Sequence, residues 1–151
     1  MSNEANIPVL RAPIAGLLAW AVPGLGHIYL GQRGRGVVLL ITITITFWSG
    51  VAIGGVVNTV DPVGRRLWFT AQICNGGHTL AALMIRRAVV PPPQEDSVPA
   101  VVGHWVAADI GVHYTGVAGL LNLLVILDAL ARAGGDHAGW RDKRTIASGV
   151  P

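Results

Sequence analysis

The sequence predicts an all-α fold: an integral membrane helical bundle of about four transmembrane helices arranged in two hairpins. Three observations lead there. The 19 charged residues, 11 Lys and Arg with 8 Asp and Glu, leave four windows with none: residues 12–32, 36–60, 67–85 and 110–127. Each is close to the roughly 20 residues that a helix rising about 1.5 Å per residue needs to cross about 30 Å of hydrocarbon. The composition fits as well, with 13 % charged and 52 % hydrophobic residues and a mean hydropathy of +0.54, where a soluble domain carries about a quarter charged residues. Finally, the basic residues gather at window edges, as Arg33 and Arg35, Arg65 and Arg66, and Arg86 and Arg87, which is how membrane helices are flanked.

The net charge of +3 and pI near 9.8 therefore do not indicate a nucleic-acid binder, whose basic residues would share a folded face with aromatics between them. The expected partners are the lipid bilayer and, beyond it, other membrane-protein helices or a second copy of the chain. Cys74 is the one cysteine, so neither a disulfide framework nor a thiolate zinc site arises within the chain.

Residues 1–12 form an N-terminal tail. Arg11, an apolar run and Ala19-Trp20-Ala21 resemble a cleavable signal, but the run continues through Leu25, Ile28 and Leu30, so the segment is expected to stay. The first helix is expected over about 13–31, weakened at mid-depth by Pro23, Gly24 and Gly26. The second, over about 36–58, is the longest window. Its Thr42, Thr44 and Thr46 alternate with isoleucines at strand period, yet so long an uncharged run favours helix, where threonine hydroxyls bond the preceding turn.

The third helix, over about 67–87, carries Gln72, Asn75, Gly76, Gly77 and His78 at its middle and needs bundle partners there. A proline-rich loop, 90–99, divides the two hairpins. Residues 99–108, with His104 and Trp105, are apolar but too short to span. Asp109 then offers an N-cap to a fourth helix over about 110–132, which Gly134 and Gly135 are expected to stop. Residues 13–132 thus form a single membrane domain, and 133–151 a polar tail expected to be disordered. No internal repeat is visible.

With four spans, the N-terminus, the 61–66 loop and the C-terminal tail share one side. That side holds seven basic residues against four, placing both termini in the cytoplasm of a bacterial inner membrane.

The most distinctive string runs from Pro23 to Gly36: Pro23-Gly24-Leu25-Gly26-His27-Ile28-Tyr29-Leu30-Gly31, then Gln32 to Gly36. It is not a phosphate loop, because it lacks the Gly-Lys-Ser/Thr ending and follows no strand. Its glycines allow a tight hairpin, Tyr29 suits the headgroup level, and Arg33 and Arg35 suit lipid phosphates. The Gly-x-Gly-His-x-Tyr-Leu-Gly-x-x-x-x-Gly pattern resembles the two-transmembrane-helix domain family over about residues 13–58, although that family's Asp-Arg-Phe-like loop residues have no counterpart. Asp109 to Ala129 is similar to the closing segment of uncharacterised bacterial membrane proteins, largely of planctomycetes, that combine both features. The resemblance implies an architecture without an activity.

Two polar sets are candidate sites. Under four spans His27, His78 and His113 face one side and, with Tyr29, Tyr114 and His104, could form a histidine layer for a metal, haem or protons; the alternative is that each simply bonds a neighbouring helix. In the last helix Tyr114, Asn122 and Asp128 fall within one sector of about 120°, Asn122 as helix-packing glue beside Asn75, and Asp128 pairing with Arg132 at i+4. No catalytic residue is expected, since Ser49 has no nucleophile-elbow setting, and no cofactor or metal is expected. The favoured reading is a non-enzymatic structural or helix-interaction component, and the alternative is a metal-, haem- or transport-related component using the histidines.

Overall fold

The computed structural model describes residues 7–90 and 106–148, with side chains for 10–90 and 106–134. Among the described residues every regular element is helical: α1 (Ile7–Ala21), α2 (Leu25–Tyr29), α3 (Arg33–Gly54), α4 (Val56–Thr59), α5 (Arg66–Ile73), α6 (Gly76–Val89) and α7 (Val106–Ser148). Two stretches, Arg33–Gly54 and Val106–Gly134, are long and apolar enough to cross a membrane. The expected count of four is not met, because the first and third windows each break in the middle.

The first break follows from its sequence. Pro23 has no N–H to continue a helix, and Gly24 takes a left-handed φ of 81° where a side chain would strike the Gly36 carbonyl. The chain then doubles back. Gly26 lies so close to α1 that a Cβ there would meet the Ala15 carbonyl and come within 3.0 Å of the Ala19 Cβ. Thus the expected helix 13–31 is a hairpin of α1 and the single turn and a half of α2.

The third window breaks at Cys74 and Asn75. Gly77 faces the Ala21 carbonyl and Gly76 lies under the Trp20 ring, with room for no side chain at either position. The expected helix 67–87 is therefore α5 followed by a returning α6.

Residue pairs fix the directions. Along α7, Leu130 meets Gly16 and Asn122 meets Ala19, so α1 runs antiparallel to it. Asp128 meets Arg35 and Gly111 meets Gly50, so α3 is antiparallel too. Asp109 meets Arg65, Gly116 meets Trp68 and Asn122 meets Cys74, so α5 runs parallel to α7. His78 meets Thr44 and Arg86 meets Asp61, so α6 travels back toward the end where α5 began. The result is two long helices, α3 and α7, with two half-length hairpins entering from opposite ends and meeting tip to tip beside Asn122.

This arrangement corrects the four-span topology. The N-terminal helix, the 32–35 turn and the C-terminal part of α7 share one end, whereas the 61–66 loop lies at the other. Although no repeat shows in the sequence, each half presents a half-length helix, a return and a long helix in the same order. Other boundaries shift as well: α3 stops at Gly54 because Gly55 has a φ of 72°, and Asp109 lies in the first turn of α7 instead of capping it. Past Gly134 and Gly135, where a stop and a disordered tail were expected, the helix continues to Ser148. The proline-rich loop, His104 and Trp105 lie outside the described residues.

The core is thin. Ile43, Phe47, Val60, Ala82, Ala118 and Val125 form its buried cluster, and close helix contact comes from glycines: a Cβ on Gly50 would sit 2.7 Å from the Gly111 carbonyl. The outer faces of the long helices remain apolar, with Val38 63 %, Ile45 60 % and Leu124 62 % exposed.

Candidate functional site

Among the described residues, three groups of polar side chains gather inside this bundle near helix ends. The first is the junction of the two hairpin tips. The last carbonyls of a helix have no partner within it and carry about half a negative charge, and here the C-terminal ends of α1 and α5 converge. Asn122, fully buried on α7, donates one amide hydrogen to the Ala19 carbonyl at 3.1 Å and the other to the Cys74 carbonyl at 2.9 Å. Trp20 Nε1 donates to the Ile73 carbonyl at 3.0 Å. One α7 side chain and one tip residue thereby hold both broken ends. Asn75, also fully buried, sits in the turn between α5 and α6.

The second group lies a little over one and a half turns further along α7. His27, with no exposed surface, donates from Nε2 to Asp128 Oδ2 at 2.8 Å. The same oxygen accepts from Arg132 Nε at 2.9 Å and faces Arg35 at 3.7 Å. The glycine-rich string makes this possible, since the reversal at Pro23 and Gly24 carries His27 back to the end of the bundle where Asp128 lies. Tyr29 is 45 % exposed beside it, and Gly31, with a φ of 85°, makes the turn into α3. Gly36 closes the motif by packing against Ile28 and Gly24. The sequence reading paired Asp128 with Arg132 but did not connect it to His27; the missing signal was the direction of the chain after Gly24.

A third group brackets the start of α7. Gln72 is fully buried on α5, and its Nε2 donates to the Thr59 carbonyl at 3.0 Å and to Thr115 Oγ1 at 2.7 Å. Thr79 Oγ1 donates back to the Gln72 carbonyl at 2.5 Å. Neither Gln72 nor Thr115 was among the sequence candidates. Two ion pairs, Arg65 with Asp109 at 2.7 Å and Arg86 with Asp61 at 3.7 Å, close this end.

The histidine layer does not form. His27 belongs to the Asp128 end, and His78 Nε2 lies 3.0 Å from Thr44 Oγ1 with its ring edge-on to Phe47. His113 Nδ1 donates to the Asp109 carbonyl at 2.6 Å beside Trp68, near the opposite end. Sharing one side required four full spans, and the two breaks remove that condition. Among the described residues no three His, Cys, Asp or Glu side chains are grouped closely enough to hold a metal ion. Tyr114 is 46 % exposed, so the stripe of Tyr114, Asn122 and Asp128 is only partly interior.

Two apolar grooves mark the surface. One of about 660 Å³ opens between the hairpin tips and α3, lined by Ala21, Leu40, Thr44, Trp48, His78 and Ala81 among others. The other, about 390 Å³, follows the seam of α3 and α7.

A family model described as Family of unknown function (DUF6677) matches residues 14–139, most of the chain, in keeping with the resemblance to an uncharacterised family. No curated protein and no solved structure matches.

Proposed function

Because the chain belongs to this family of unknown function, we propose on physical grounds that it is a non-enzymatic, multi-pass protein of a bacterial inner membrane, a helix-packing component that spans twice and dips in twice. In this reading α3 and α7 cross the bilayer, and the α1–α2 and α5–α6 hairpins enter from opposite faces and stop near the middle. Irregular backbone at such depth is tolerated only where protein satisfies it. The observation that carries the proposal is the double hydrogen bond from Asn122 to the ends of both half-length helices. A fully buried amide is thus committed to joining helices.

Both termini face the cytoplasm in this reading. The end where α1 starts carries Arg11, Arg33, Arg35 and Arg132, and the sequence of α7 beyond it adds Arg141, Lys143 and Arg144, against Arg65, Arg66, Arg86 and Arg87 at the other. The apolar outer faces of α3 and α7 meet lipid, and the groove beside Trp48 and His78 offers a neighbouring helix a place to pack.

In-membrane photocrosslinking tests the role. A benzophenone side chain at exposed Ile45, on that groove, is expected to capture a reproducible partner helix or a second copy, identified by mass spectrometry. Capture of lipid alone from that position would remove the helix-packing role.

A further inference from the structure

The seam groove between α3 and α7 has aliphatic walls and a charged mouth. Leu39, Ile43, Leu121 and Leu124 line it, and Arg35 and Asp128 stand at one end. From residue 35 to 43 of α3 it covers about 12 Å at about 1.5 Å per residue, from the polar end of the long helices toward their middle. Those are the proportions of a lipid's headgroup and upper chain.

The charge at the mouth is unbalanced. Asp128 Oδ2 already accepts from His27 at 2.8 Å and Arg132 at 2.9 Å, and Arg35 stands off at 3.7 Å with its side chain 50 % exposed. Among the described residues two guanidinium groups face one carboxylate, leaving one positive charge at the top of an apolar groove. A guanidinium matches a phosphate with paired N–H donors.

We propose that this groove binds one anionic phospholipid, its phosphodiester on Arg35 and one acyl chain along Leu39, Ile43, Leu121 and Leu124. One phosphodiester brings the cluster to neutrality. A headgroup bearing an ammonium would set a third cation beside Arg35 and Arg132, so the site selects a headgroup without an amine, such as glycerol. The inference rests on the membrane reading above and adds a ligand to it.

The test uses the full chain purified in detergent, titrated with phosphatidylglycerol or phosphatidylcholine and read by native mass spectrometry and thermal unfolding. The wild type is expected to bind phosphatidylglycerol about tenfold more tightly, the scale of one charge-assisted contact. Arg35→Gln should abolish that preference. Leu124→Trp, which fills the groove from an exposed position, should weaken binding of both lipids and remains informative should Arg35→Gln not fold. Equal binding of the two lipids by the wild type, a preference that survives Arg35→Gln, or unchanged binding in Leu124→Trp overturns the proposal. Carbonate extraction of native membranes reports separately on the membrane reading: a wild-type chain released at alkaline pH defeats that reading, and one that stays in the pellet without lipid preference defeats only the groove.

Discussion

His27 and Asp128 are separated by 101 positions in sequence and by 2.8 Å in space. Their contact ties the turn before α3 to the far part of α7, so it holds the chain reversal in place at the end shared by the start of α1 and the C-terminal part of α7. His27 is fully buried while the Asp128 side chain is 42 % exposed, and this asymmetry makes their loss unequal. His27→Ala is expected to destabilise the protein by about 2–3 kcal/mol by leaving a cavity. Asp128→Ala should cost less, and the double mutant should reveal a coupling of about 1 kcal/mol. Thermal unfolding of the four variants in one detergent measures this, and strict additivity would remove the tie.

Asn122 allows a sharper chemical comparison. Asn122→Leu loses two hydrogen bonds and should cost about 1–2 kcal/mol. Asn122→Asp keeps the shape but replaces the donor with a carboxylate that, when ionised, faces two helix C-termini of the same sign. It is expected to be the worse of the two in unfolding at neutral pH. The opposite order would show that the amide does not bridge the carbonyl ends.

The glycine contacts predict position-specific intolerance. Gly50→Ala would place its Cβ 2.7 Å from the Gly111 carbonyl and 2.8 Å from the Tyr114 Cβ, which should cost about 1–3 kcal/mol. Gly34 is helical with nothing within 4 Å of its added Cβ, so Gly34→Ala should be neutral or slightly stabilising. Equal effects in a chemical-denaturation series would mean that α3 and α7 are not in backbone contact.

Topology is measurable with one reactive thiol at a time. In a Cys74→Ser background, cysteines at residues 3 and 34 should label with a membrane-impermeant maleimide from the same side of sealed vesicles, and Val63→Cys from the other. A four-span bundle predicts residue 63 on the side of residue 3 and residue 34 opposite, so the two arrangements give different patterns.

Much of this architecture was legible in the residues, and the failures share a cause. The absence of charge over 36–60 and 110–127 identified both long helices, and Pro23 and Gly24 marked the first break, whereas the Asn75-Gly76-Gly77 run was legible only as a stretch that needs bundle partners. What those residues do not encode locally is whether a break bends the helix or reverses it. Reversal is decided by what Gly26 and Gly77 pack against, namely Ala15 and Ala21, and those contacts exist only in the folded chain. From that one ambiguity followed the misplaced 61–66 loop and the histidine layer. Asn122 stood out as a lone amide among leucines, yet its acceptors could not be named, because the carbonyls of Ala19 and Cys74 are free only where helices end. The pairing of Gln72 with Thr115 was likewise invisible, since threonine on an apolar helix carries no sign of its partner. The Gly134-Gly135 pair lowers helix propensity without forbidding a helix, which is why it failed as a stop.

The junction at Asn122 also orders events in time. Both hairpin tips are synthesised before the side chain that secures them, so on the proposed membrane reading a nascent chain that has emerged only as far as Val90 would hold the α1 and α5 ends without the Asn122 amide that bonds the Ala19 and Cys74 carbonyls. Completion of α7 is then the step that commits the earlier segments. A chain truncated after Val90 should therefore be degraded far faster in pulse–chase than the full-length protein, a dependence of the first elements on the last that makes translation of the C-terminal helix the checkpoint for surveillance proteases.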